Sequence, residues 1–205
     1  MNYSDLKTQA YSYLGFRGMG DTANIDALMS DCIAEIERTA QFNYLYGAFG
    51  EPPAFLKREP YAAFLRGTTG VILSVMTLGA GVDKLINRAS RADMVRACVL
   101  DACASAYLEM KSDEHERTLG DNLTYRFCPG YGGSTVEDLR EIFALLHPEK
   151  IGVTLTESNF MLPGKSMAGV IGIGKDAKKS CEACFMLPHC KFREVGRRCF
   201  HSEKR

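Results

Sequence analysis

No stretch of this sequence stays apolar long enough to span a bilayer. The longest run, Val71–Val82, has 12 residues and contains Ser74, Thr77, Gly79 and Gly81. A membrane helix needs about 20 consecutive apolar residues, so this run reads as buried core and no membrane role is expected. The first residues, MNYSDLKTQAY, hold neither an apolar stretch behind a basic start nor a small-residue cleavage pattern. That predicts a cytoplasmic protein. Net charge is also lacking, with 25 basic against 25 acidic residues. Internal repeats and low-complexity tracts are absent as well. At 46% hydrophobic and 24% charged, the composition excludes disorder, collagen and coiled coil. The length, 205 residues, suits one domain or one domain with a short appendage. A chain of this size buries roughly 70% of its unfolded surface and needs no disulfides for its core.

What is present is unevenly spread. Residues 175–205 carry nine Lys/Arg against four Asp/Glu, a net +5, and the remainder carries −5. A basic tail of this kind serves solubility or meets an acidic partner. Nucleic acid is not expected, because aromatics interleaved with the basic residues are limited to Phe192 and Phe200. The cysteines fall into two groups. Cys32, Cys98 and Cys103 sit in helical patterns among Ile, Leu and Ala, where a free thiol acts as a small buried apolar group. Cys181, Cys184, Cys190 and Cys199 crowd into nineteen residues with the spacing C-x2-C-x5-C-x8-C. In a cytosolic chain that cluster argues for metal or redox chemistry before structural disulfides. Four thiolates suit zinc or an iron–sulfur cluster, and reduced thiols or adventitious disulfides stay open beside them. Nearby Lys178, Lys179, Lys191, Arg193, Arg197 and Arg198 would lower the thiol pKa values and offset a thiolate centre's charge.

Periodicity predicts helices over Ser4–Leu14, over Ile25–Ala40, over Asp83–Arg88 and over Arg91–Glu116. The last of these is rich in alanine, which allows close packing against it. Extended runs are expected at 42–49, Val71–Leu78, Leu123–Phe127, Ile151–Leu155 and Met167–Ile173. Thr135 is placed to cap a helix over Val136–Leu146, with Asp138 at its third position. The irregular alternation predicts an α+β fold. It has a mixed or antiparallel sheet with flanking helices, an N-terminal helical segment over 1–41, and a small Cys-rich tail. Residues 1–174 form the domain and 175–205 the tail.

The segment Arg126-Phe127-Cys128-Pro129-Gly130-Tyr131-Gly132-Gly133 carries the most chemistry. An arginine at a strand end can clamp a carboxylate in a bidentate pair. The glycines let backbone approach a ligand closely, and Tyr131 adds an aromatic face and a hydroxyl. Together these suit a small zwitterionic, partly aromatic ligand such as a nucleoside joined to an amino acid. The same residues also suit a strand end with an exposed salt bridge. The four histidines, His115, His147, His189 and His201, show no spacing of a catalytic pair.

RFCPGYGG at 126–133 and LTESNFMLPGKSMAGVIGIG at 155–174 resemble the paired signatures of the activation domain of cobalamin-dependent methionine synthase, in residues and in separation. Upstream, TLGAGVDKLINRASRADMVRACVLDACASAYLE at 77–109 and YLGFRG at 13–18 resemble the stand-alone proteins of that family. The resemblance covers about residues 1–174. It implies binding of S-adenosylmethionine in a shallow groove and reductive methylation of cob(II)alamin on a partner. That partner is a cobalamin-binding methionine synthase module or another corrinoid protein, and a flavodoxin or ferredoxin supplies the electron. Carried over by motif, Arg126 holds the methionyl carboxylate, Cys128 contributes backbone contacts, and Gly130 and Tyr131 line the groove. A carboxylate from the Asp101–Glu109 region also reaches the ligand. Glu157 either contacts the ligand or stabilises its turn.

One departure is plain. Full-length relatives carry a ligand-contacting tyrosine some twenty residues beyond LTES, where this chain reads Lys175-Asp176-Ala177-Lys178-Lys179. The chain also has no room for homocysteine, folate and cobalamin modules, so activity requires assembly with a separate corrinoid carrier. Two other classes of function remain beside this one. A metal or redox module centred on the tail predicts colour or bound metal. A non-catalytic adaptor predicts only a complex with a corrinoid protein.

Overall fold

A computed structural model describes residues 3–15 and 23–174. The chain opens with two helices, α1 (Tyr3–Tyr13) and α2 (Ala23–Thr39). Strand β1 (Asn43–Phe49) and a short helix α3 (Tyr61–Phe64) follow, then strand β2 (Gly70–Thr77). Two helices, α4 (Ala80–Ala92) and α5 (Met94–Glu116), come next. Helix α6 (Leu139–Leu146), the two-residue strands β3 (Thr154–Leu155) and β4 (Met161–Leu162), and strand β5 (Ser166–Ile173) complete the fold.

The sheet is antiparallel, in the order β1–β2–β5, with β3 and β4 forming a separate hairpin. This settles the mixed-or-antiparallel expectation. Central strand β2 is buried at every position, which explains why its sequence is a continuous apolar run instead of an alternating one. Its two faces still go to different layers. Val71, Leu73 and Val75 pack with Leu139, Ile142 and Leu146 of α6 and with Phe55 and Tyr61. Met76, on the opposite face, joins the cluster built on α5, while Ile72 packs with Leu123 and Ile171. The sheet therefore lies between an α5 layer and an α6 layer.

Helices α1, α2 and α4 all pack on α5. The small residues Ala97, Ala102, Ala104 and Ala106 are buried there together with Leu100 and Cys103. Full burial of a side chain the size of Leu100 stabilises by about 1.5–3 kcal/mol, so α5 anchors this half of the molecule. Among the described residues no helix is long and apolar enough to cross a membrane.

Three local expectations are corrected. The break between α4 and α5 falls at Asp93, not at residues 89–90, because Asp93 is extended (φ −152°) and its carboxylate accepts from the Arg96 N–H at 3.1 Å. Cys98 is exposed, unlike buried Cys32 and Cys103. It falls on the outer side of α5 with Met94 and Val95, which are also exposed. The strand expected over Ile151–Leu155 shrinks to Thr154–Leu155, since Pro148–Ile151 coils as a 3-10 turn and Gly152 follows at φ 76°.

The expected Thr135–Asp138 pair is present, but Val136–Asp138 coil as a 3-10 turn and the α-helix starts only at Leu139. The Thr135 N–H donates to the Asp138 carboxylate at 3.4 Å. Asp138 is buried and also pairs with Arg58 and accepts from the Tyr61 hydroxyl at 2.9 Å. One carboxylate thus ties the 58–61 segment to the start of the α6 layer. Replacing Asp138 with Ala should cost about 1–3 kcal/mol, the penalty for leaving buried donors unpartnered. Urea denaturation reads this directly, and an unchanged midpoint would remove the tie.

Candidate functional site

Residues 123–127 run antiparallel beside β5. Phe127 exchanges both backbone hydrogen bonds with Val170 at 2.8 Å, and the Thr124 N–H donates to the Gly172 carbonyl at 3.0 Å. Side chains alternate along such a segment. Phe127 enters the α6-side cluster, so Arg126 turns to the opposite face, toward α5. Gly169 makes room for it: a Cβ there would overlap Cγ and Cδ of Arg126. The guanidinium is nearly enclosed, its side chain 7% exposed.

Helix α5 meets this cation with three acids. Glu109, Asp113 and Glu116 are spaced i, i+4 and i+7, which puts them on one helix face. Glu109 pairs with Arg126 Nη2 at 2.5 Å, Asp113 reaches the same nitrogen at 3.6 Å, and buried Glu116 pairs with Nη1. Among the described residues one cation thus meets three carboxylates, of which Glu116 is buried while Glu109 and Asp113 are partly exposed. Burial holds the Glu109 carboxyl above its usual range, with Arg126 pulling it down and Asp113 pushing it up. Burial likewise opposes the charge on Arg126, but Glu109 and Glu116 outweigh it and keep the guanidinium firmly protonated. Two residues on, burial pushes the Cys128 thiol up to about 11 despite Arg126, so it remains a neutral thiol at pH 7.

The same face of α5 continues toward its start. Asp101 and Ser105 take the Lys165 ammonium at 2.8 and 2.9 Å. Lys165 is positioned by its own loop, where the N–H groups of Gly164 and Lys165 donate to the Asp83 carboxylate at 2.6 and 3.2 Å. Both motifs singled out in the sequence therefore fasten onto one stripe of α5, with Glu109 between Lys165 and Arg126. The 128–134 turn closes the other side. Gly130 takes φ 90° and its N–H donates to Ser134 Oγ at 3.1 Å. Tyr131 stands 60% exposed at the rim.

A tyrosine from the far end of the chain feels the same charges. Tyr13, the last residue of α1, is half exposed. Burial around its hydroxyl, then the Glu109 charge, push its pKa up to about 12, while a hydrogen bond from Gln9 and the Arg126 charge oppose them and Tyr131 adds to the rise.

The structure thus brings together Arg126, Cys128, Gly130 and Tyr131. Glu157 is placed elsewhere, exposed on the β3–β4 turn. There the Glu157 carbonyl, not its carboxylate, accepts from Arg140 at 2.9 Å, and Arg140 Nε also donates to Asn159 at 2.6 Å. Tyr13, Asp113, Glu116 and Lys165 were not singled out from the sequence. Helical spacing of the acids 109, 113 and 116 was the available signal for two of them; Tyr13 was marked only as the first residue of the YLGFRG match. The metal candidates Cys181, Cys184, Cys190 and Cys199 lie outside the described residues, as do residues 16–18 of the YLGFRG match. Among the described residues no cluster of three or more His, Cys, Asp or Glu could hold a metal ion.

No family model matches the sequence, and no curated protein matches it. Among solved structures the chain is similar to the MetH reactivation domain bound to AdoHcy. The TM-score is 0.62 at 18% identity, covering 83% of this chain and 74% of that one. At this identity the likeness establishes the fold.

The close fit of Arg126 over Gly169 makes a prediction. Gly169→Ala should displace the arginine stem and cost about 1–3 kcal/mol, as overpacking does. Denaturation of the variant tests this, and wild-type stability would show that the stem has room to move.

Proposed function

We propose that this chain binds S-adenosylmethionine in the groove between α5 and the 126–131 turn, as the reactivation unit for a separate corrinoid methyltransferase. The observation that carries the reading is the buried Arg126–Glu109–Glu116 cluster. It lies beneath the glycine turn of a motif that resembles the methionine synthase activation domain. The likeness to the MetH reactivation domain bound to AdoHcy supports the same reading at the level of fold.

The chemistry of the ligand matches the charges. S-adenosylmethionine carries a carboxylate, an ammonium and a sulfonium. Arg126 is already paired, so its carboxylate enters by exchange. The ligand carboxylate takes the Nη2 edge from Glu109, whose side chain is 30% exposed, while Glu116, 5% exposed, stays in place. Glu109, released, takes the ligand ammonium. Every buried charge keeps a partner throughout, which avoids the several kcal/mol that an unpaired buried ion costs. The three carboxylates there favour the cationic sulfonium over its neutral thioether product.

A corrinoid on the partner, reduced by one electron from a flavodoxin or ferredoxin, would supply the nucleophile for the methyl carbon, with the C–S electron pair left on sulfur. This chain's residues need not move a proton. Their work is to hold the sulfonium in line with the incoming cobalt, and such positioning is worth up to several kcal/mol. A shallow site with a neutral Cys128 and no nucleophile–base pair suits that task.

For the tail we propose a thiolate metal centre at Cys181, Cys184, Cys190 and Cys199. The spacing and the basic neighbours support it. Zinc would fold a segment with little apolar core, and an iron–sulfur cluster would relay the reactivating electron. The alternative function, an electron-transfer or adaptor partner of a corrinoid protein, rests on this cluster and requires no S-adenosylmethionine site.

Calorimetric titration of the pure protein with S-adenosylmethionine tests the first reading. We expect saturable binding, weakened by about 1.5–3 kcal/mol in Arg126→Ala, the range for a hydrogen bond to a charged group. Unchanged affinity in a folded Arg126→Ala protein would remove that residue's role, and no binding by wild type would favour the adaptor reading. Anaerobic purification with metal analysis and a visible spectrum tests the tail. A colourless protein with zinc excludes the relay, a brown one supports it, and a metal-free sample sinks both.

A further inference from the structure

Helix α1 approaches the groove along a single stripe. Leu6 and Ala10 are fully buried in the cluster built on α5. Tyr13 lies seven residues beyond Leu6 and three beyond Ala10, which keeps it on the same α5-facing side. Leu6 and Ala10 are 1% and 0% exposed, but Tyr13 is 51% exposed. The stripe therefore runs out from the core at the groove. The charges of Glu109 and Arg126, and the Tyr131 hydroxyl, lie within electrostatic reach of the Tyr13 hydroxyl.

Tyr13 and Tyr131 thus come from segments 118 positions apart and both stand half open beside one buried ion cluster. Core packing does not account for this. A half-exposed ring gives up much of its burial energy, and a smaller apolar residue would end the α1 stripe as well. Two aromatic faces beside a carboxylate-rich floor suit a cation. The negative face of an aromatic ring attracts a weakly hydrated cation bearing carbon substituents, and a sulfonium with three carbons is one.

We propose that Tyr13 is a ligand-binding residue: its ring forms the groove wall opposite Tyr131 and contacts the sulfonium end of the ligand. This rests on the reading that the groove takes S-adenosylmethionine. It makes the N-terminal helix part of the binding site, and it makes the ring, not the hydroxyl, the working group.

The test is calorimetric titration of the full chain, as wild type, Tyr13→Phe and Tyr13→Leu, with S-adenosylmethionine and with S-adenosylhomocysteine. Thermal melts of each variant accompany the titrations. We expect Tyr13→Phe to bind within about twofold of wild type. Tyr13→Leu should lose about 3- to 20-fold for S-adenosylmethionine, with a smaller loss for the neutral thioether, which offers no cation. Unchanged affinity in Tyr13→Leu overturns the proposal. So does an equal loss for both ligands, which a merely structural role would give, or a loss in Tyr13→Phe as large as in Tyr13→Leu. If wild type binds neither ligand, the proposed function itself falls and this inference falls with it. That result is distinct from wild-type binding that is indifferent to Tyr13.

Discussion

A buried arginine between carboxylates constrains much of this fold. An unpaired guanidinium with 7% exposure would cost several kcal/mol, so its partners must be in place whenever the fold is. Several features follow from that demand. Helix α5 carries acids at 109, 113 and 116, although its other buried residues are almost all apolar or small. Residues 123–127 must pair with β5 to aim Arg126 at α5. The β5 residue beneath it must be glycine, because any Cβ would occupy the arginine stem's place. Ion pairs of this kind add little net stability compared with apolar packing. Their persistence here is better explained by use than by stability.

That use depends on charge arithmetic as much as on shape. Lys165 and Arg126 stand at two levels along one face of α5, each held by acids of that helix. Glu109, which pairs with Arg126, is held above its usual carboxylate range by burial. A site arranged this way can accept a zwitterion by exchanging partners without creating a bare charge. Methyl transfer from a sulfonium to a strong nucleophile asks for alignment and little acid–base help. The Arg126 cluster supplies such alignment through paired charges, and the proposed function asks no proton of its carboxylates.

Much of the architecture was legible in the sequence, and the reasons are physical. A long amphipathic pattern marked α2, a long alanine-rich stretch marked α5, and the mostly apolar run marked β2 as a buried strand. The Thr135–Asp138 cap was readable because capping is local chemistry. Arg126, Cys128, Gly130 and Tyr131 were legible as a motif, but the partners of Arg126 were not. An exposed clamp and a buried, paired one look alike in one dimension. Asp93 ended a helix where periodicity alone ran through, because capping competes with helix continuation at a single aspartate. Cys98 was misplaced by one step around the helix, a rotation of about 100° that composition does not register. Tyr13 was legible only as the first residue of the YLGFRG match, with no role attached. The role proposed for it depends on residues more than a hundred positions away, which no local pattern announces.

The central claim is that the Arg126 cluster is the receptor for the amino-acid end of S-adenosylmethionine. A crystal structure of the protein grown with that ligand tests it most directly. The account predicts the ligand carboxylate on the Nη2 edge of Arg126, with Glu109 turned to the ligand ammonium and Glu116 unmoved. Arg126 still paired with Glu109 at saturating ligand, with the ligand bound elsewhere or not at all, would contradict it.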